Sequence, residues 1–199
     1  MGKKRDETMA ENRMRLLSAA RRAFAAHGFS AASMDELTAE AGLTRGALYH
    51  NFGDKKGLFA AVVAEVDGEM AARAKKAGAR GEDDWSALML ETDAYIEMAL
   101  DPEVQRIVLL DGPAFLGDPS QWPSQNACLQ ETREKIASLV SARILKPVDV
   151  DAAARLLSGA ALNAALWVAA SDDPRAALPK ATETFRLLAA GLLADRASD

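Results

Sequence analysis

Within the eight residues Thr44-Arg45-Gly46-Ala47-Leu48-Tyr49-His50-Asn51, the chain gathers side chains suited to bind nucleic acid. An arginine carries a planar donor fork that matches O6 and N7 of guanine, so Arg45 is the residue expected to read a base. Thr44, Tyr49 and Lys55 are suited to phosphate oxygens, and His50 can serve either purpose. Leu48 and Phe52 are i and i+4 and share one helix face; if that face is buried, Arg45, Gly46, Tyr49 and His50 lie together on the other. Gly46 in so short a helix costs roughly 1 kcal/mol relative to alanine, which makes sense where a backbone must approach DNA closely.

Other chemistry is poorly provided for. The histidines are His27 and His50, and the single cysteine is Cys128, so neither a zinc site nor an internal disulfide has its ligands. Neither histidine lies in the C-terminal two thirds, and Cys128 sits alone on an apolar stripe. No catalytic residue, metal or cofactor is therefore expected. The first residues are charged rather than apolar, and no window holds some 18 consecutive apolar residues. A cytoplasmic protein without a membrane segment is expected. The net charge of −5 is unevenly placed: residues 1–60 hold ten Lys/Arg against seven Asp/Glu, and residues 61–199 hold fourteen against twenty-two. The pattern is a basic head on an acidic body.

Positioning the polar face of Arg45 requires helices, and composition favours them, with abundant Ala, Leu and Arg and few β-branched residues. About nine helices are expected in an all-α fold. The first runs from about Met9 to Ala26, with Leu16, Leu17, Ala20 and Phe24 as its stripe and Gly28 as a left-handed cap. Ser33 and Glu36 form a capping box that opens the second, which closes at Gly42. Thr44 caps the third, Arg45 to Asn51, and Asp54 the fourth, about Lys55 to Lys76. Asp83 or Asp84 opens the fifth, and Asp101-Pro102 starts a sixth that Asp111-Gly112-Pro113 interrupts. The last three run from about Ser124 to Ile144, Val150 to Ala170 and Pro174 to Ala194. Lys3, Lys4 and Arg5 belong to a flexible basic tail at 1–8. Lys56, Arg13, Arg15, Arg21 and Arg22 are read mainly as solvated charge, with His27 ending a helix.

Two short helices meeting across Ala41-Gly42-Leu43, with Leu37, Leu43, Leu48 and Phe52 packed against Leu17, Phe24 and Phe29, make a helix-turn-helix. From about Glu11 to Val66 the chain resembles the DNA-binding domain of the TetR family. The match includes Ala20, Phe24, Gly28, Phe29 and Ser33, then Ala41-Gly42-Leu43, Gly46, Leu48-Tyr49-His50, Phe52, Lys55 and Leu58. Thr38 and Asn51 depart from the Ala and His often found there, and Leu37 and Leu43 replace Ile and Val. The resemblance implies an N-terminal helix-turn-helix domain at 1–54 and a C-terminal ligand-binding and dimerisation domain at 55–199, with 55–76 as the connecting helix. It also implies a repressor that holds palindromic operator DNA as a homodimer, in which Ser33, Thr44, Arg45, Gly46, Tyr49, His50 and Lys55 touch DNA.

By family position, Leu156, Leu157, Ala160, Ala161, Ala164, Val168, Phe185, Leu188, Ala189 and Leu192 form the dimer interface. A ligand cavity needs a few placed polar atoms among apolar walls. The stripes offer Trp85, Met89, Thr92, Tyr95 and Ile96, then Ile107, Phe115, Trp122, Cys128, Thr132, Asn163 and Trp167. With no inward basic cluster, the effector expected is a small, largely apolar, neutral or cationic compound. In the family, ligand binding would move the sixth helix against the fourth and change the separation of the recognition helices. The alternatives are a regulator of the same fold without small-molecule induction, or a helical small-molecule-binding protein or enzyme.

Overall fold

The computed structural model describes residues 2–194, with side chains from Thr8 onward. Every regular element among them is helical. The helices are α1 (Gly2–Ala31), α2 (Met34–Ala41), α3 (Arg45–Phe52), α4 (Lys55–Gly78) and α5 (Asp84–Glu97). They continue with α6 (102–116), α7 (Pro123–Ser141), α8 (Val150–Ala170) and α9 (Pro174–Ala190). The all-α fold expected from composition is therefore observed. The backbone is already helical from Gly2, where a tail is expected, while the side chains of Lys3, Lys4 and Arg5 lie outside the described residues.

Contacts divide the chain into two units, residues 1–67 with 102–117, and residues 68–101 with 118–199. The division falls inside α4 rather than at 54/55, and it gathers α6 to the N-terminal unit. Three interactions account for that membership. Arg21 on α1 grips Glu103 through Nε (2.8 Å) and Nη2 (2.7 Å) and reaches Glu65 on α4 through Nη1 (2.9 Å). The Phe29 amide donates to Asp111 Oδ2 at 2.7 Å. The Phe115 ring packs 4.4 Å from Phe29, which joins Phe24 and Phe59 in one aromatic cluster. Arg21 is thus a structural ion-pair residue and not the solvated charge expected.

Asp111-Gly112-Pro113 does not interrupt α6. Pro113 has no amide to return to the carbonyl four residues earlier, and a π-helical stretch, Gln105–Asp111, directly precedes Gly112–Leu116. The widened ladder accommodates the missing donor, and the helix continues to Leu116. Gly28 has positive φ as expected, but with φ 77° and ψ 170° it is extended rather than left-handed helical, so it kinks α1 instead of capping it.

The second unit is built around α8, which packs on α5, α7 and α9. Ala154, Ala161, Ala165, Ala181 and Ala189 let these helices approach closely, and Leu88, Ile96, Ile136, Leu139 and Phe185 fill the core between them. Asp83, Asp149 and Asp173 cap α5, α8 and α9 by accepting from the amides three residues on. Helix α7 ends at Ser141 rather than Ile144 because Arg143 takes φ 59°. Helix α9 stops before Ala194 because its exit pairs elsewhere: the Lys146 amide donates to Leu192 O and the Ala194 amide to Ile144 O, both at 2.9 Å. Among the described residues α8 is the helix long and apolar enough to cross a membrane by composition, and two thirds of that apolar window is not buried within the chain.

Candidate nucleic-acid interface

The site rests on two short helices fixed at their ends. At α2, Ser33 Oγ accepts from the Glu36 amide (3.1 Å) and Glu36 Oε2 accepts from the Ser33 amide (3.2 Å), the reciprocal box expected from the sequence. Gly42 takes φ 62° and ψ 37° and closes α2. Thr44 Oγ1 accepts from the Ala47 amide at 3.2 Å and opens α3. Leu37 and Leu48 are fully buried with Phe24, whereas Leu17, Phe29, Leu43 and Phe52 are half-buried. Thr38, a departure from the family pattern, is buried and satisfies its hydroxyl on Met34 O at 2.9 Å. Asn51, the other departure, donates to Ala47 O (2.8 Å), and its own carbonyl accepts from Arg13 Nη1 (3.0 Å). Asn51 therefore turns into the helix, and Arg13, stacked 4.4 Å over the Phe52 ring, buttresses the end of α3.

With Leu48 inward, Thr44, Arg45, Gly46, Tyr49 and His50 are all exposed. Tyr49 is 53% exposed. A Cβ added to Gly46 would meet nothing nearer than Thr44 Oγ1 at 3.7 Å, so no packing inside the chain requires glycine there. Lys55 is half-buried: Nζ sits 4.6 Å over the Phe29 ring and reaches Ser30 O at 3.4 Å, and this burial lowers its pKa. Arg45 is paired with Asp35 on α2, Nε donating to Oδ1 at 2.6 Å and Nη2 to Oδ2. Through that hydrogen-bonded pairing the Arg45 pKa is raised and the Asp35 pKa lowered. Nothing in the local spacing marks Asp35, ten residues away on another helix, as part of the site.

Residues 16–62 match the family described as bacterial regulatory proteins, tetR family, and residues 85–192 match the tetracyclin repressor-like C-terminal domain. The chain belongs to the TetR family. Its fold superposes with a TM-score of 0.86 on a TetR-family transcriptional regulator from Pectobacterium atrosepticum, 44% identical over 95% of this chain and 97% of that one. It is 32% identical over 162 residues to the HTH-type transcriptional repressor AcnR of Corynebacterium jeikeium, covering 79% of this chain and 81% of the relative. The HTH-type transcriptional regulator AcrR of Shigella flexneri is 39% identical over 62 residues, 31% of this chain and 29% of that protein. As a TetR-family protein the chain is a DNA-binding transcriptional regulator, and α2 and α3 are its helix-turn-helix.

The residues expected to line a cavity fall in both units. Ile107 is fully buried in the N-terminal unit, and Phe115 belongs to the aromatic cluster there. In the other unit Ile96 is fully buried, Thr92 is nearly so, and Trp85, Met89, Tyr95, Trp122, Cys128 and Thr132 are half-buried. The hydroxyls of Thr92 and Thr132 donate to the carbonyls four residues back, Leu88 O (2.9 Å) and Cys128 O (3.0 Å), so their own helices already use them. Asn163 and Trp167 are exposed on α8, Trp167 by 50%. An open cleft of about 440 Å³ lies elsewhere in this unit, lined by Arg73, Ala94, Glu97, Met98, Leu100 and Asp101, none of them an expected residue. The Trp122 Nε1 is buried without a hydrogen-bond partner among the described residues.

The expected dimer residues divide by burial. Val168 and Ala189 are fully inaccessible and belong to the core of one chain, since a side chain with no exposed surface cannot cover a partner; Leu157, Ala161 and Phe185 keep a small exposed edge. Ala160, Ala164 and Leu192 are half-buried. Leu156 and Leu188 are 73% and 63% exposed, and Leu187, which the sequence pattern does not single out, is 70% exposed.

Proposed function

We propose that this chain is a cytoplasmic, homodimeric repressor that holds a palindromic operator through α3 and is released by a small, largely apolar ligand. The observation that carries the DNA half is the exposed face of α3, where Arg45, Tyr49 and His50 surround a glycine that the chain itself does not need. Arg45 reads a guanine, Thr44 and Tyr49 take phosphates, and the helix N-termini at Ser33 and Thr44 add amide donors. Lys55 adds a backbone contact after leaving Phe29. The relatives named as AcnR are transcriptional repressors by name, which favours repression over activation. Leu156, Trp167, Leu187 and Leu188 supply the apolar dimer surface, and two-fold pairing presents two recognition helices to successive major-groove faces. The buried Trp122 Nε1, unpartnered among the described residues, offers a donor that an effector acceptor would satisfy.

Selection of bound sequences from random duplex DNA tests this reading. A palindrome with two half-sites about one helical turn apart, bound with affinity that falls steeply with salt, is expected. Recovery of no preferred sequence would overturn it. The internal use of the Thr92 and Thr132 hydroxyls favours a second reading, the same regulator without small-molecule induction. A thermal-shift screen of small apolar compounds, followed by operator release, separates the two.

A further inference from the structure

Arg45 does not stand alone on the recognition helix. We infer that Asp35 is a specificity-determining residue that holds Arg45 in the orientation needed to read guanine; this rests on α3 being the DNA-reading element.

The geometry of the pair carries the argument. Asp35 engages the side-on edge of the guanidinium, Nε to Oδ1 at 2.6 Å and Nη2 to Oδ2. That engagement consumes the Nε hydrogen and one hydrogen of Nη2. Both hydrogens of Nη1 and the second hydrogen of Nη2 remain, and one from each nitrogen forms the end-on fork that matches guanine O6 and N7. The carboxylate thus occupies the edge that guanine does not need and leaves open the edge that it does.

Both partners are exposed, Arg45 by 59% and Asp35 by 71% at the side chain, so the pair is not a desolvated structural bridge. An exposed ion pair adds little to stability, and its energetic worth here lies elsewhere. A free arginine side chain loses rotamer freedom on docking to a base, whereas one already held in a fixed bidentate frame loses less. Asp35 is itself anchored in the first turn of α2, directly between Ser33 and Glu36 of the capping box, so the strut has a rigid base. The amides of that turn also favour its negative charge. Placing a carboxylate beside DNA weakens general attraction to phosphate, so the device exchanges affinity for any sequence against discrimination at one base pair.

The test measures base preference, not affinity alone, on the full-length protein. Selected operator sequences are compared for wild type, Arg45→Ala, Asp35→Ala and Asp35→Asn, and for the double variant. Arg45→Ala assigns the base pair that Arg45 reads by erasing preference there. Asp35→Ala is expected to reduce the preference at that same pair by roughly five- to tenfold, leaving preferences at other positions intact. Asp35→Asn keeps part of it, and the double variant adds nothing to Arg45→Ala. Unchanged preference in Asp35→Ala, with or without a uniform rise in affinity, overturns the inference while leaving the regulator reading intact. No erased base pair in Arg45→Ala also overturns it. If wild type itself selects no sequence, the regulator reading fails along with it.

Discussion

Replacing Gly28 by alanine is expected to destabilise the N-terminal unit far more than replacing Gly42, although both glycines have positive φ. Gly42 sits at φ 62° and ψ 37°, a left-handed helical conformation that other residues adopt at about 1 to 2 kcal/mol. A Cβ there would approach Arg15 Nη2 at 2.7 Å, but that is the far end of an exposed, flexible side chain that can move aside. Gly28 combines φ 77° with ψ 170°, a region that is essentially glycine-only, where strain amounts to about 1 to 3 kcal/mol. Its Cβ would fall 2.9 Å from Asp111 Oδ2, and that atom is already committed to the Phe29 amide at 2.7 Å. Relieving the clash breaks a charge-assisted hydrogen bond worth about 1.5 to 3 kcal/mol, so the combined loss is about 2.5 to 6 kcal/mol. Urea unfolding followed by far-ultraviolet circular dichroism reads both variants. Tryptophan fluorescence would be the wrong probe, since Trp85, Trp122 and Trp167 all lie in the other unit. Because the clash and the hydrogen bond share Asp111, Gly28→Ala combined with Asp111→Ala should lose less than the sum of the single variants. Equal losses in the two glycine variants, or strict additivity with Asp111→Ala, would refute this account of the kink.

Two further outcomes follow from exposed surface and from charge. Leu188→Glu places a charge on the exposed face of α9, and sedimentation should show dissociation of the proposed dimer at concentrations where wild type stays paired, with helical content unchanged. Asp151 accepts from Arg155 and Arg133, which lowers its pKa below 3.8. A carboxyl whose folded pKa is depressed adds stability that is fully present above its unfolded pKa and is lost as pH falls through the folded value. Wild type should therefore exceed Asp151→Asn in stability at pH 6, and the difference should shrink as pH falls below 3.8; a difference that persisted through acid denaturation would rule the pairing out.

The head was legible because its determinants are local. A capping box needs only Ser33 and Glu36, a sharp turn only Gly42, and the inward stripe only the spacing of Leu48 and Phe52, all within one or two helical turns. Helix α6 was misread because its continuity depends on a π-helical accommodation of Pro113 that no propensity encodes. Its attachment to the head depends on Arg21 and Phe29, far away in sequence. Arg21 illustrates the same limit: on a helical wheel it is one more surface arginine, and only the fold supplies its two carboxylates.

Adjacent leucines show why the body resisted reading. Leu156 and Leu157 differ by 100° around α8, and both fall within a wide apolar stripe, yet one is 73% exposed and the other 8%. Periodicity reports that a residue wants to leave water without saying whether its own chain or a partner covers it. The number of helices packed on α8 decides that, because α5, α7 and α9 cover only part of its circumference. The exposed residues outside that arc include Leu156, Asn163 and Trp167, an apolar patch with one amide in it, next to the Arg155–Asp151 ion pair nearer the start of the helix. Trp122, whose buried Nε1 lacks an acceptor among the described residues, is the polar atom on which an effector search should be centred.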